Sequence, residues 1–159
     1  MFKVNLYIET TNKGPSKRKA AGMYILEFIT ESGQTITRNG VIYMAAVTEN
    51  RLVLHLFLEA LKRITKSCSL AVFTTCEHVF NVLNYHQLSQ WEKNGWKNAK
   101  GKETDQMQLW KEIREYLGMH VVTLTAADHS YRKIYMKGML EKEMNREHVE
   151  NVEMRKDAE

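Results

Sequence analysis

The amino-acid sequence predicts an α/β fold in which a mixed five-stranded sheet carries helices on both faces. Apolar residues alternate with polar ones near the N-terminus, and two further strand-like segments follow, joined by a short turn. Later apolar strands are separated by segments of helical periodicity, as the crossovers between parallel strands require. Because such crossovers are right-handed, the first strand is expected at the centre, with the hairpin on one side and the later strands on the other.

The composition fits one domain of ordinary globular character. The chain has 159 residues, of which 43% are hydrophobic and 26% charged, with a net charge of +4. This mild basicity permits a polyanionic partner but does not require one. Cys68 and Cys76 lack metal-ligand spacing, and the N-terminus has no apolar segment as long as a signal peptide or a membrane span. We therefore expect a protein of the reducing cytoplasm with no membrane partner.

Three strands and a helix are predicted for the N-terminal half. Residues 4–8 alternate in polarity, and residues 22–29 and 35–44 form a hairpin around a Glu-Ser-Gly turn. A helix then begins at Thr48, whose hydroxyl is a suitable N-cap. The apolar face of this helix comprises Leu54, Phe57, Leu58, Leu61 and Ile64.

The C-terminal half alternates strands and helices before it becomes highly charged. Two short apolar runs are typical of interior strands, and three segments have the composition of helices. Residues 145–159 alternate in charge with almost no apolar stripe, so we expect them to fray beyond a domain of residues 1–144. The predicted strands are residues 70–73 and 121–124, and the predicted helices are residues 77–85, 105–117 and 130–144.

Lysines and tryptophans are interleaved between residues 90 and 102. Ammonium groups neutralise phosphates and flat rings pack against sugars or bases, so this composition is typical of nucleic-acid binding. The alternative is a solvated basic loop whose tryptophans are anchored in the core. The residues concerned are Trp91, Lys93, Trp96, Lys97, Lys100 and Lys102.

Four motifs occur in a characteristic order along the chain. Residues 91–99 read W-x-K-x-G-W-K-x-A, and residues 48–54 read T-E-N-R-L-V-L at a helix start. Residues 72–79, VFTTCEHV, form a strand-to-helix step, and residues 7–10 end the first strand. Together they resemble bacterial-type ribonuclease HI over about residues 3–140. The resemblance implies the ribonuclease H fold, with strand order 3-2-1-4-5, and identifies residues 91–102 as the family's basic protrusion.

The resemblance also implies two-metal hydrolysis of the RNA strand of an RNA–DNA hybrid, with four carboxylates holding Mg²⁺ or Mn²⁺. Taken residue by residue, this set is degenerate. Glu9 matches the first Asp with an extra methylene, which moves the carboxylate oxygens by roughly 1.5 Å. Val53 matches the helix Glu, Cys76 the second Asp and Met136 the last Asp. Valine cannot ligate and thiolates suit soft metals, so we expect no intact catalytic site and no metal cofactor.

The same resemblance implies roles for a few further residues. His129 matches the family's mobile histidine as a possible remnant, although it can equally be an ordinary loop histidine. Asn50 matches a position that contacts the nucleic-acid backbone at the first helix. Rescue of the metal site by Glu49, Glu77 or Asp128 would require shifts of register.

Three functions remain open at this point. The first is a catalytically silent ribonuclease H-like domain that binds an RNA–DNA hybrid or another duplex through the basic protrusion. The second is a divergent active ribonuclease H, dependent on Mg²⁺ or Mn²⁺, with Glu9 as its key ligand. The third is a protein-interaction scaffold, for which the sequence names no partner.

Overall fold

A computed structural model describes residues 2–102, 104–127 and 129–157. The sheet has the order β5-β4-β1-β2-β3-β6, so the predicted order 3-2-1-4-5 is confirmed and a sixth strand is added. The strands are β1 (Phe2–Thr10), β2 (Arg18–Ile29), β3 (Thr35–Val47), β4 (Cys68–Phe73), β5 (Val121–Ala126) and β6 (Val152–Lys156). The helices are α1 (Glu49–Lys62), α2 (Glu77–Asn84), α3 (Gln87–Lys93), α4 (Asp105–Leu117) and α5 (Ser130–Met144).

The central strand β1 determines which residues meet at one edge of the sheet. It pairs with β2 in antiparallel orientation and with β4 in parallel orientation, with Tyr7 opposite Phe73. The ends of β1 and β4 therefore lie side by side. Since Glu9 is near the end of β1 and Cys76 follows β4, the topology places two of the sequence-predicted site residues in one region.

The sheet separates two apolar clusters. Helices α1 and α4 cover one face, where Phe57 and Trp110 are fully buried and their rings meet edge to face at 6.3 Å. Gly22 of β2 lets α1 approach closely, because a Cβ there would lie 2.4 Å from Leu56 Cδ1. Helix α5 covers the other face, where Met136 and Leu140 pack on the first strands of the sheet. Helices on both faces were predicted, and this is confirmed.

The prediction that residues 145–159 fray outside the domain was wrong for the residues that the structure describes. Residues 152–156 form β6, which pairs antiparallel with β3. At the far end of β6, the Asp157 carboxylate accepts hydrogen bonds from Arg63 (2.9 Å) and from the Asn39 amide (3.1 Å). Arg146, Arg155 and Asp157, three of the charged residues that suggested a solvated tail, are instead paired with Glu143 and Arg63 of the domain.

A buried carboxylate joins this C-terminal segment to α5. Glu143 is only 3% exposed, and its carboxylate lies between the side chains of Arg155 of β6, Arg146 and His148. The His148 ring also stacks on Tyr43 of β3 at 3.5 Å. Helix α5, the following loop and two strands are therefore held together at one point.

None of the described helices combines the length and apolar character that crossing a membrane requires.

Removal of the Glu143 carboxylate is expected to destabilise the domain. Glu143→Ala should lower the free energy of unfolding by about 2–3 kcal/mol, because several cationic groups lose a buried partner. Urea denaturation at neutral pH measures the change. Glu141→Ala, on the same helix but exposed, is the matched control and should stay within about 0.5 kcal/mol of the parent. Equal stability of the two variants would contradict the role assigned to Glu143.

Candidate functional site

The Glu9 carboxylate is buried at the end of β1, with 1% of the residue exposed. Its Oε1 accepts a hydrogen bond from the Thr10 amide at 3.2 Å and makes a close contact with the ammonium group of Lys13. Its Oε2 faces His129 Nε2 at 3.8 Å. A buried carboxylate is costly unless a cation compensates it, and here Lys13 supplies that cation.

Lys13 reaches Glu9 because the loop between β1 and β2 is tightly organised. The side chain of Asn12 donates to the carbonyl groups of Ser16 and Val47, both at 2.9 Å, and accepts from the Gly14 amide at 3.0 Å. The last contact is an Asx turn, which reverses the chain just after Lys13. The Lys13 ammonium also donates to Thr75 Oγ1 at 3.1 Å, which connects the loop to the segment between β4 and α2.

His129 lies where the sequence predicted a possible remnant of the family histidine. It caps α5, is 4% exposed, and its ring is tilted against Tyr7 at 5.8 Å. The structure thus brings Glu9 and His129 together, although 120 positions separate them in the chain. Their proximity is a fact of the fold, whereas a role of His129 in chemistry stays a prediction.

The two tryptophans of residues 91–102, the segment that the resemblance identifies as a basic protrusion, are held against the core. Trp96 is 7% exposed and belongs to the main apolar cluster, so little of its ring is accessible for the predicted packing against sugars or bases. Its backbone is left-handed (φ 62°), and its amide donates to the Trp91 carbonyl at 2.8 Å. Trp91 is half-buried and packs between His78 and Trp110. Both tryptophans therefore anchor the loop, and the binding of nucleic acid by this segment stays a prediction.

The lysines of the basic protrusion point away from this anchor. Lys93, Lys97, Lys100 and Lys102 are all exposed. Asn98 organises the tip of the loop, because its side-chain oxygen accepts from the amides of Lys100 (2.9 Å) and Lys102 (3.0 Å). The loop therefore presents Lys97, Lys100 and Lys102 around an ordered tip, and Lys93 lies at the end of α3.

A cleft of about 480 Å³ opens beside Lys13, where α1 and α2 begin. Asn50 lines it, and the oxygen of its amide accepts a hydrogen bond from the Cys76 thiol at 3.4 Å. His78 also lines the cleft, and its Nε2 accepts from Trp110 Nε1 at 2.9 Å. Burial lowers the pKa of His78, which favours the neutral ring that this hydrogen bond requires. The cleft is thus connected to the tryptophan anchor.

Comparison with known proteins identifies the family. The model of the RNase H family matches residues 3–128. The chain belongs to the ribonuclease H family. The ribonuclease H of Chlorobium luteolum is 36% identical over 81 residues, which are 51% of this chain and 56% of that protein. The ribonuclease H of Lachnoclostridium phytofermentans is 27% identical over 122 residues, which are 77% of each chain.

The chain spans only about half the length of the first curated relatives that it matches. Solved structures agree on the fold. The crystal structure of LC9-RNase H1, described as a type 1 RNase H with the type 2 active-site motif, has a TM-score of 0.73 at 15% identity. The superposition covers 96% of this chain and 77% of that one. The foamy viral protease-reverse transcriptase in complex with RNA/DNA hybrid gives 0.60 at 15% identity, over 86% of this chain and 19% of that one.

Val53 and Cys76, which were predicted to match two of the family's acids, are buried away from solvent. Val53 is 2% exposed and lies in the main apolar cluster, so no polar group replaces the family's helix carboxylate there. Cys76 is 1% exposed at the start of α2, and burial raises the pKa of its thiol to about 11. A neutral thiol of this kind behaves as a small apolar side chain and not as a metal ligand.

The position predicted to match the family's last Asp also carries no acid. Met136 lies on the inner face of α5 and is fully buried in the second apolar cluster, with Tyr7 and Met23. Near the start of α5, Arg132 donates to Glu27 Oε2 at 2.6 Å. A cation therefore occupies the first turn of α5, the helix on which the resemblance predicts the last carboxylate.

The residues present do not fit the pair of divalent metals that the ribonuclease H family implies. Across residues 2–102, 104–127 and 129–157, no three His, Cys, Asp or Glu side chains converge so that they could hold a metal ion. Of the three substitute acids considered above, Glu77 is exposed, and Asp128 lies outside the described residues. Glu49 does lie close enough to interact with Glu9 and Lys13, and burial, with a contribution from Glu9, raises its pKa. One added carboxylate does not restore the set.

Sequence reasoning missed Lys13, the residue that most changes the interpretation of the candidate site. Lys13 carried no signal by itself, although the N-K-G-P sequence around it is typical of a turn. Glu49 was considered only as a substitute acid that needs a shift of register, and its proximity to Glu9 comes from the fold.

Cys76 is expected to be inert toward thiol reagents in the folded protein. With a pKa of about 11, only about one thiol in a thousand is ionised at pH 8, and the sulfur is buried. In a Cys68→Ala variant, reaction with Ellman's reagent should be at least ~100-fold slower in buffer than in concentrated urea. Rapid labelling of the folded variant would show that Cys76 is an accessible thiolate.

Proposed function

We propose that this ribonuclease H domain binds nucleic acid, as an RNA–DNA hybrid or another duplex, and does not carry out two-metal hydrolysis. The observation that carries the proposal is the combination of an ordered basic protrusion with a neighbouring site in which Glu9 is paired with Lys13. The proposed binding residues are Asn50, Lys93, Lys97, Lys100 and Lys102, with Trp91 and Trp96 as the anchor that positions the loop.

Charge and order support the binding half of the proposal. Exposed ammonium groups gain affinity for a duplex by releasing the counterions condensed on its phosphates. Because Asn98 holds the backbone between Lys97 and Lys102, the lysines lose less conformational freedom on binding than those of a mobile loop would. Among proteins of similar fold, the foamy viral protease-reverse transcriptase has been solved with RNA/DNA hybrid and with dsDNA.

The chemistry of the available ligands supports the proposed absence of two-metal hydrolysis. Two Mg²⁺ ions bring four positive charges, which need several hard oxygen ligands nearby. At the four family positions this chain presents one carboxylate, and a lysine already compensates it. The apolar and thiol groups at the other three positions supply no negative charge, so the ions lack an adequate site.

Hybrid binding should depend on salt and on the protrusion. We expect the logarithm of the association constant to fall linearly with the logarithm of salt concentration. The double variant Lys97→Ala/Lys100→Ala should bind more weakly and reduce this slope by about 2. Fluorescence anisotropy with a labelled hybrid over a salt series measures both quantities.

The matched control is Lys66→Ala/Lys156→Ala, which removes the same charge from two exposed lysines outside the protrusion. It should keep most of the affinity and a slope close to that of the parent. Absence of binding at low salt would refute the proposed function. Equal losses in both double variants would show that overall charge, and not the protrusion, attracts the duplex.

Purified protein should not cleave the RNA strand of a hybrid in Mg²⁺ or Mn²⁺. The measurement is a gel assay of end-labelled RNA at high enzyme concentration, with Glu9→Gln as the control for contaminating nuclease. Metal-dependent cleavage that disappears in Glu9→Gln would establish a divergent active ribonuclease H instead. Cleavage of equal strength in both preparations would be assigned to a contaminant.

A further inference from the structure

We propose that Lys13 is a built-in counter-ion that takes over, at Glu9, the charge-compensating role of a divalent metal. Its consequence is that both the folded site and nucleic-acid binding are independent of divalent ions. The first half of this statement concerns the chain alone, and the second half rests on the proposed function.

The contacts of the ammonium group carry the inference. An ammonium group has three donors, and Lys13 directs one at the buried oxygen Oε1 of Glu9 and one at Thr75 Oγ1 at 3.1 Å. These partners belong to β1 and to the segment that follows β4. The cation thus sits at the junction of the two strand ends on which the family builds its metal site.

Hydrogen bonds fix the loop between β1 and β2 in the conformation that places Lys13 beside Glu9. The side chain of Asn12 is buried and spans from its own loop to the end of β3 through the Val47 carbonyl. The Gly14 carbonyl in turn accepts from the Glu49 amide at 3.2 Å, which attaches the loop to the start of α1. Lys13 therefore starts from a fixed backbone position, and its pairing with Glu9 does not require the ordering of a mobile loop.

Electrostatics make the lysine and a divalent ion alternatives. Glu9 and Glu49 interact at this point, and Lys13 already offsets part of their charge. A divalent ion placed against Glu9 would be repelled by the ammonium group, and no set of three His, Cys, Asp or Glu side chains among the described residues converges to hold it. Without Lys13, the same two carboxylates would face a bound phosphate uncompensated and would repel it.

Lys13 can also contribute directly to binding. Its side chain is 46% exposed and borders the cleft beside α1 and α2. The remaining N–H of its ammonium group is therefore available to a phosphate oxygen of a duplex lying in the cleft. The ligand class for this contact is a nucleic-acid backbone, continuous with the basic protrusion.

Thermal unfolding of four proteins tests the counter-ion without any nucleic acid: the parent, Lys13→Met, Glu9→Gln/Lys13→Met and the matched control Lys66→Met. In EDTA, Lys13→Met should melt roughly 5 °C below the parent, because Glu9 is left buried and unpaired. Mn²⁺ should raise its melting temperature but leave those of the parent and Lys66→Met unchanged. The double variant should melt at a higher temperature than Lys13→Met, and Mn²⁺ should not change its melting temperature, since no unpaired charge remains.

Two results would contradict the counter-ion role of Lys13. One is a parent protein that Mn²⁺ stabilises as much as it stabilises Lys13→Met. The other is a double variant that is no more stable than Lys13→Met, or that also fails to fold, because Lys13 would then act through loop geometry and not through charge.

Hybrid binding in EDTA and in Mg²⁺ tests whether nucleic-acid binding is independent of divalent ions. The parent and Lys66→Met should bind equally in both buffers, whereas Lys13→Met should bind at least ~5-fold more weakly in EDTA and recover partly in Mg²⁺. Parent binding that requires Mg²⁺ would refute metal independence. A parent that binds in neither buffer would refute the proposed function and leave the thermal test of Lys13 standing.

Discussion

The organisation of this site depends on the compensation of one buried carboxylate. Glu9 sits on the central strand of the sheet, where solvent does not reach it. A charge in that position requires a partner of opposite sign, because the interior screens it poorly. Ribonuclease H proteins of the kind that this chain resembles meet a comparable requirement with divalent ions and further acids. Here Lys13 pairs with Glu9, and the positions predicted to match the family's other acids carry Val53, Cys76 and Met136.

The same principle explains the C-terminal segment. Residues 145–157 contain many charged side chains, a composition that by itself indicates a solvated tail. In the fold, Glu143 is buried and gathers Arg155 and Arg146 around it, while Asp157 pairs with Arg63. Charge pairing thus adds a strand to the sheet where hydrophobic burial alone could not, since alternate residues of β6 are exposed.

The basic protrusion shows how one segment can serve the core and the surface together. Trp91 and Trp96 pack inward, next to Trp110 and His78, and the lysines between and after them remain exposed. The rings provide a rigid base, and the ammonium groups provide the electrostatic attraction. The interleaved sequence therefore reflects two faces of a loop and not a mixed stacking surface.

The sequence by itself determined the succession of β1 to β5 with α1, α2, α4 and α5, the central place of β1, and the residue types at the positions predicted to match the family's acids. Those features follow from local periodicity, crossover geometry and the spacing of motifs, all of which can be read along the chain. Only the tertiary structure decided that Lys13 meets Glu9 and Thr75, that Trp96 is buried, and that residues 152–156 form a strand. The reason is that these outcomes depend on contacts between distant residues, such as Lys13 and Thr75, which are 62 positions apart. No local pattern encodes such a contact, because its free energy exists only once the sheet has brought the two strand ends together.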